Sequence, residues 1–199
     1  MHMLRNEWMN EAFEFGDLFS TPLMRTSNTL LAKRMLPICK SILQDKDSLT
    51  YHWGYKTTYT PEGGLERDQR MKPFTTYLYR IAKGFVRTVG LDVDVESNPQ
   101  IFISQLDRGD KHARHCHPGS TVSGVFYVSV PDESSPIKFF DPRPVKEFNH
   151  HPLLGETPYN TPTTVFSPAD GDMIMWESWL HHEVPPNRSN ERIAIIFNL

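Results

Sequence analysis

Cysteine is scarce in this chain of 199 residues, which contains two widely separated copies, Cys39 and Cys116. This usage provides neither a disulfide framework nor the paired spacing of a cysteine metal site, and it fits a reducing cytoplasm. No apolar run approaches the roughly 20 residues that a membrane-spanning helix needs. Residues 1–17 are acidic and lack the apolar stretch of a signal peptide. We therefore expect a cytoplasmic protein without a membrane segment.

A large excess of one charge is also lacking, since 21 Lys and Arg stand against 24 Asp and Glu, for a formal net charge of −3. This balance gives no electrostatic reason to expect a nucleic-acid or membrane partner. Apolar residues make up 38% and charged residues 23%, which is ordinary for a globular chain. No repeat or low-complexity linker divides the sequence, so we expect residues 1–199 to form a single domain.

The first half of the chain has helical periodicity. Apolar residues recur at helical spacing over 28–47, where Pro37 predicts a kink or a boundary between two shorter helices. Residues 51–72 are polar and turn-rich, which predicts a long surface loop. A second helix is predicted from Pro73, which suits a first turn, to Gly90, which suits a stop.

After Gly90 the sequence changes to short β-prone runs separated by turn residues. These runs cover residues 101–106, 122–130, 137–140, 163–166, 173–176 and 192–199. A longer polar connection occupies 143–159. Helices followed by strands predict an α+β fold, in which N-terminal helices support a β-sandwich or barrel. A double-stranded β-helix, the jelly-roll form, fits the strand count, but the pattern does not distinguish it from other sandwiches.

Histidine is concentrated, because five of the nine copies lie in two short segments, KHARHCHPGS and WLHHEV. If residues 113–117 are extended, His115 and His117 share one face and Cys116 lies on the other. Two imidazoles at this spacing and a third from a distant strand make a facial triad with positions open for substrate and oxygen. A single histidine is more often structural, but the recurrence in a β context favours a metal site.

Taken together, HCHPGSTVSGVFYV and GDMIMWESWLHHEVPPNRSNERIAIIFNL resemble the two motif regions of the 2-oxoglutarate/Fe(II)-dependent oxygenase superfamily. The resemblance is to a prolyl-hydroxylase-like group with a His-x-His-Pro segment, a Ser-Gly-Val-Tyr-Tyr-like strand and an Arg-Ile-x-Ile-x-Phe-Asn ending. It covers about half of the chain, residues 101–199. It implies a double-stranded β-helix (jelly-roll, cupin-like) core there, with residues 1–100 as helical support and loop.

The resemblance also implies the metal ligands. His115 and His117 fall on the family's His-x-Asp pair, and His182 falls on its distal histidine, with His181 as the alternative. Other members have a carboxylate where this chain has His117, so three imidazoles leave the full +2 charge of the metal for a dianionic cosubstrate to neutralise. An aspartate, Asp110 or Asp141, remains an alternative ligand.

The same resemblance implies a cosubstrate site. Arg192 lies ten residues beyond His182, where the family places the arginine that pairs with the far carboxylate of 2-oxoglutarate. Tyr127 falls on a tyrosine that donates to that carboxylate, and strand alternation makes Ser123 a further polar contact. The two tryptophans that flank the distal histidine, Trp176 and Trp179, are expected to pack in the core, with a platform for the substrate as the alternative.

The predicted function is a 2-oxoglutarate- and Fe(II)-dependent dioxygenase that hydroxylates an unidentified organic or peptidyl substrate with O2 and releases succinate and CO2. The metal centre supplies the reactive chemistry, so no further catalytic residue is predicted. One alternative is a cupin-type metalloenzyme in which three histidines hold the metal and 2-oxoglutarate is not used. Another is a non-catalytic β-sandwich that binds a metal.

Overall fold

The computed structural model describes residues 2–5, 12–45, 50–52, 54–60, 64–143, 154–155, 157 and 159–199. The polar connection expected over 143–159 lies mostly outside the described residues. The helices are α1 (Thr29–Gln44) and α2 (Lys72–Val89), and α2 follows two 3-10 turns, Leu65–Arg67 and Gln69–Met71. The strands are β1 (His2–Arg5), β2 (Ala12–Phe15), β3 (Leu23–Ser27), β4 (Thr50–His52), β5 (Tyr55–Thr57), β6 (Gln100–Leu106), β7 (His112–His115), β8 (Val122–Ser129), β9 (Ile137–Phe140), β10 (Thr163–Phe166), β11 (Asp172–Glu177), β12 (His182–Val184) and β13 (Arg192–Asn198).

Two antiparallel sheets face each other. The major sheet has the order β3-β11-β8-β13-β6-β5-β4, and the minor sheet has the order β10-β9-β12-β7. From β6 to β13 the chain crosses between the sheets at every step except β9 to β10, which pair in the minor sheet. This winding is a double-stranded β-helix, so the predicted jelly-roll core is confirmed. Strands β1 and β2 form a separate hairpin.

The two helices begin and end where the local sequence provides caps. The side chain of Asn28 accepts a hydrogen bond from the backbone N–H of Leu31 at 3.0 Å and caps α1. Helix α1 then continues through Pro37 as one helix, so of the two alternatives at this proline, a kink or a boundary, the boundary is wrong. Helix α2 ends at Gly90, whose positive φ of 83° suits a glycine C-cap, and this prediction is confirmed.

Strand alternation divides the apolar residues into two layers. On β8, β11 and β13 one set of residues packs against α1 and α2, which cover the outer face of the major sheet. The intervening residues point between the sheets, where Tyr127, Ile174, Trp176 and Ala194 meet Phe139 of the minor sheet and its neighbours. The space between the sheets is therefore lined by alternate residues of the motif strands. Among the described residues, no helix combines the length and apolar character that crossing a bilayer requires.

The loop expected over 51–72 is wrong in part. Strand β5 pairs with β6 and extends the major sheet, and β4 pairs with β5. Tyr55 and Thr57 are buried, and the Thr57 hydroxyl donates to the Ile103 carbonyl at 3.0 Å. The polar composition of this segment does not predict a strand. Strand β5 forms because it pairs with β6, which lies almost fifty residues away in the sequence.

Candidate metal and cosubstrate site

A cavity that is partly open to solvent lies between the two sheets. Its walls are residues that alternate along the strands described above. The lining residues are Tyr55, Phe102, Ser104, Leu106, His112, His115, His117, Gly124, Val125, Tyr127, Ile137, Trp176, His182, Val184, Arg192, Ala194 and Ile196. Arg192 carries the one permanent charge among these residues, since the set contains no lysine or carboxylate.

Three histidines meet in this cavity. His115, His117 and His182 each offer one nitrogen, and these atoms lie within 4.8 Å of one another. Nε2 of His117 is 3.3 Å from Nε2 of His182. This separation suits two nitrogens that each lie about 2.1 Å from one ion. The three imidazoles therefore fit a single metal ion, with further coordination positions facing the cavity.

Different elements bring the three ligands together. His115 ends β7 and pairs directly with His182, which begins β12. His117 lies two residues beyond the end of β7, where its backbone N–H donates to the Ser178 carbonyl at 3.0 Å. His115 and His117 line the same cavity, as a shared face predicts, and Cys116 is not among the lining residues.

Backbone carbonyls orient two of the rings. Nδ1 of His115 donates to the Ala113 carbonyl at 2.7 Å, and Nδ1 of His182 donates to the Leu180 carbonyl at 3.0 Å. In this tautomer Nε2 of each ring keeps its lone pair for a metal. Burial lowers the pKa of His182 to about 2 and that of His117 to about 4, and burial also lowers the pKa of His115. Neutral imidazoles are the form that binds a metal.

The alternative ligands lie outside this cluster. Among the described residues, the group that can hold a metal contains the three histidines and no carboxylate or thiol. Asp110 accepts a hydrogen bond from the backbone N–H of Asp107 at 2.8 Å, and Asp141 binds Arg143 at 2.6 Å. His181 is exposed. Its neighbour in the sequence, His182, is buried in the cluster.

Arg192, the first residue of β13, lies in the same cavity and is 2% exposed. Among the described residues no carboxylate pairs with it, and its Nε has no hydrogen-bond partner. The surface ion pairs open to it are used elsewhere, since Glu183 pairs with Lys138 and Glu191 pairs with Lys40. A buried guanidinium without a counter-ion is costly, so this position fits an anionic ligand that brings its own carboxylate.

Tyr127 lies beside this arginine. Its ring centroid is 5.1 Å from the Arg192 Cζ, and its buried hydroxyl has no hydrogen-bond partner among the described residues. Burial raises the pKa of Tyr127 to about 12, and the charge of Arg192 opposes this rise. The phenol is therefore a neutral donor. Together the two side chains offer unused hydrogen-bond donors to one carboxylate, as the resemblance implies.

Ser123 does not join this donor pair, so the expectation that it makes a further polar contact in the cosubstrate site is wrong. Its hydroxyl lies 2.7 Å from the Ser178 hydroxyl and donates to Asn198 Oδ1 at 2.9 Å. The register pairs Ser123 with Asn198, at the opposite end of β13 from Arg192. Strand alternation gave the correct face, but the position along the strand puts Ser123 outside the cavity lining.

Two further lining residues, Tyr55 and His112, are not assigned to the site by the sequence motifs. Tyr55 is buried, and its hydroxyl lies 3.5 Å from Nδ1 of His112. The His112 ring stacks on the His115 ring with centroids 3.8 Å apart. The polar composition around Tyr55 predicts a loop, and His112 is one of three histidines in its segment. The strand alternation of β7 and the pairing of β5 with β6 bring the two together, and neither is visible before the sheets are closed.

The fold and the site together define a class of protein. A double-stranded β-helix holds three neutral imidazoles and a buried arginine that no described carboxylate pairs with in one cavity. This arrangement can bind a metal ion and, beside it, a ligand with a carboxylate group. The family described as "Putative 2OG-Fe(II) oxygenase" matches residues 100–198. The chain belongs to the 2-oxoglutarate/Fe(II)-dependent oxygenase superfamily, whose cofactors are Fe(II) and 2-oxoglutarate.

Solved structures show the same fold. A prolyl-4-hydroxylase from Pseudomonas putida is similar over 90% of this chain and 93% of its own, with 12% identity and a TM-score of 0.64. A prolyl hydroxylase from Trichoplax adhaerens, solved with a hypoxia-inducible-factor peptide fragment, is 14% identical over 88% of this chain and 82% of its own, with a TM-score of 0.59. The non-heme alpha-ketoglutarate-dependent epimerase SnoN of nogalamycin biosynthesis is 14% identical over 89% and 76%, also with a TM-score of 0.59. Among curated proteins, no sequence matches the chain.

Proposed function

We propose that this oxygenase is a dioxygenase that hydroxylates an organic or peptidyl substrate, consumes O2 and 2-oxoglutarate, and releases succinate and CO2. The observation that carries the proposal is the buried, unpaired Arg192 in the same cavity as the three histidines. A purely structural metal site would not need a second, unsatisfied cation beside it. An unpaired guanidinium fits the far carboxylate of a diacid whose other end chelates the metal.

In this proposal each residue has a defined role. His115, His117 and His182 hold Fe(II), and the carbonyls of Ala113 and Leu180 keep two of the rings in the ligating tautomer. The guanidinium of Arg192 donates to the far carboxylate. Bound Fe(II) and 2-oxoglutarate supply the oxidative decarboxylation that activates O2.

Tyr127 completes the grip on that carboxylate. Its hydroxyl is buried and stays protonated at neutral pH, since burial raises its pKa to about 12. It therefore donates one hydrogen bond beside those from Arg192. Both side chains project from neighbouring strands of one sheet, because Ala194 of β13 pairs with Tyr127 of β8. Rigid strands hold the two donors at a fixed spacing, which suits recognition of one carboxylate.

The rest of the cavity indicates what kind of substrate group reaches the metal. Phe102 and Leu106 of β6 and Val184 of β12 contribute apolar surface, and Ser104 of β6 contributes a hydroxyl. The described lining residues contain no acidic side chain or second arginine for a charged substrate. We therefore propose that the substrate group that is oxidised is uncharged. An apolar wall also keeps water from the reaction.

The test is an anaerobic titration of the Fe(II) protein with 2-oxoglutarate. A visible charge-transfer band is expected, and the Arg192→Met variant should bind 2-oxoglutarate at least 100-fold more weakly, since it loses charge-assisted bonds worth about 3 kcal/mol. Arg188→Met, an exposed arginine four residues earlier, is the matched control and should titrate as the wild type does. Absence of the band in the wild type would contradict the use of 2-oxoglutarate.

The outcome of oxidation needs a separate measurement, because the neighbouring folds include prolyl hydroxylases and an epimerase. Incubation under ¹⁸O2 with candidate peptides and metabolites distinguishes them. Hydroxylation transfers one labelled oxygen atom to the product and the other to succinate. If the product has the same mass as the substrate and succinate is formed, the reaction is an epimerisation and not a hydroxylation.

A second candidate is a three-histidine metalloenzyme of the cupin type that binds its substrate directly at the metal. The absence of a carboxylate from the described metal-capable group favours it. Such an enzyme would consume O2 without forming succinate, and Arg192→Met would leave the affinity for metal and turnover unchanged. Metal analysis completes the comparison, since full zinc occupancy without turnover would indicate a non-catalytic metal site.

We also propose a cytoplasmic location. Both cysteines are free, with Cys39 buried and Cys116 partly buried. Thiols without disulfides suit a reducing compartment. Fractionation of cells that express the untagged protein, with detection by antibody, tests this location, and recovery in the secreted or membrane fraction would contradict it.

A further inference from the structure

The cavity contains a third unpartnered polar atom that the proposed function does not use. The buried side-chain atoms without a hydrogen-bond partner, among the described residues, are the Tyr127 hydroxyl, the Arg192 Nε and the Trp176 Nε1. All three residues line the same cavity. The large majority of buried side-chain polar atoms have a hydrogen-bond partner, so three unpartnered donors around one cavity indicate a ligand that accepts from them.

Trp176 differs from the tryptophan three residues later. Trp176 is 1% exposed and its indole N–H has no acceptor within the described parts of the chain, whereas Trp179 is 45% exposed and donates to Glu177 at 3.1 Å. A phenylalanine would fill an apolar core position without burying an N–H group. The expectation that Trp176 only packs in the core therefore leaves its indole N–H unexplained.

The position of Trp176 points to one end of the cosubstrate. Its ring centroid is 4.9 Å from the His182 ring, in an edge-on arrangement. On β11 it pairs with Ser123 of β8, four residues along that strand from Tyr127. Four residues of strand span about 13 Å, so Trp176 lies at the histidine end of the cavity and Tyr127 with Arg192 lies at the other.

We propose that the indole N–H of Trp176 donates a hydrogen bond to the oxygens of 2-oxoglutarate at the end that chelates the metal. This inference rests on the proposed function, because it requires 2-oxoglutarate to extend from Arg192 to the histidines. The cosubstrate is then held at both ends: Arg192 and Tyr127 bind its far carboxylate, and Trp176 binds its near end. Trp176 is thus a binding residue that orients the metal-chelating group without contributing a ligand to the metal.

The test compares Trp176→Phe with Trp179→Phe by calorimetric titration of the Mn(II) protein with 2-oxoglutarate, without O2 turnover. Loss of a buried bond to a charged acceptor should weaken 2-oxoglutarate binding by about 10- to 100-fold in Trp176→Phe. Trp179→Phe should bind as the wild type does. The affinity for Mn(II) alone should stay within about threefold in both variants, since neither change removes a metal ligand.

A measurement on the wild-type protein does not depend on any variant folding correctly. In the Zn(II) protein, the indole N–H resonance of Trp176 should move downfield when 2-oxoglutarate is added and should exchange more slowly with water. A resonance that stays in place although 2-oxoglutarate binds would overturn the inference, as would unchanged affinity in Trp176→Phe. Either result would leave the proposed function intact, whereas failure of the wild type to bind 2-oxoglutarate at all would contradict both.

Discussion

Arg192 occupies a position that folding alone does not favour. Its guanidinium is buried without a counter-ion in the part of the chain that the structure describes, and burial lowers its pKa from the ordinary value. The flanking residues of β13, Ile193 and Ala194, are apolar and buried, so a nonpolar side chain at 192 would suit the sheet equally well. Side chains that oppose stability in this way are typical of binding sites, where the ligand provides the missing partner.

The replacement of Arg192 by Met tests this reasoning in the free protein. Arg192→Met removes an uncompensated buried charge and keeps a similar volume, but it also loses the contact with the Tyr127 ring. We expect the free energy of unfolding without ligand to stay within about 1 kcal/mol of the wild type or to rise. Urea unfolding, with Arg188→Met as control, measures it. A loss of 3 kcal/mol or more would show that Arg192 is a structural residue.

At the scale of elements, β8 can lie between β11 and β13 in the major sheet because it contains a glycine at one crowded position. A Cβ on Gly124 would overlap the ring of Phe197 on β13 and would lie 2.5 Å from the Ile174 carbonyl on β11. Phe197 can therefore pack across β8 into the layer beneath the helices. The Ser-Gly-Val segment of the motif thus has a packing reason, separate from its place beside the cavity.

Two glycine substitutions separate this packing effect from backbone entropy. Gly124→Ala should lower the free energy of unfolding by about 2 to 4 kcal/mol, because neither the Phe197 ring nor the strand backbone can move freely. Gly84→Ala, at an exposed site inside α2 with open space around it, should raise stability by about 0.5 to 1 kcal/mol. Thermal and urea unfolding measure both. Equal effects of the two changes would refute the packing explanation.

At the scale of the whole molecule, the metal site joins the two sheets. His115 and His182 belong to neighbouring strands of the minor sheet, while Arg192, Tyr127 and Trp176 belong to the major sheet. A ligand that binds both sets can do so only when the sheets are packed face to face. Binding of metal and cosubstrate should therefore stabilise the complete fold rather than one segment of it.

The buried thiol of Cys39 reports on that global stability. It lies in the helix layer, away from the cavity, and burial raises its pKa to about 12. We expect Cys39 to be alkylated only when the protein unfolds, and Cys116, which is partly buried, to react faster. Mn(II) with 2-oxoglutarate at 100 times its Kd should slow modification of Cys39 about 100-fold, as followed by peptide mass spectrometry. Unchanged kinetics at Cys39 would show that ligand binding does not stabilise the packed fold.

Elements with local signals can be predicted from the amino-acid sequence. The apolar stripe and Gly90 define α2, and the alternating runs define most strands of the core, because side-chain periodicity follows directly from helix and strand geometry. The motif resemblance indicated which histidines and which arginine to examine, and the structure brings His115, His117, His182 and Arg192 to one cavity.

Tertiary structure alone decided the features that depend on pairing partners and register. Strand β5 forms because β6 lies beside it, which puts Tyr55 in the cavity wall instead of a loop. Ser123 has the predicted face but pairs at the far end of β13, so its hydroxyl binds Ser178 and Asn198. The unpartnered N–H of Trp176 becomes apparent only when every neighbour is in place. Local sequence encodes periodicity, whereas satisfaction of a polar group depends on residues distant in the chain that the closed sheets bring within reach.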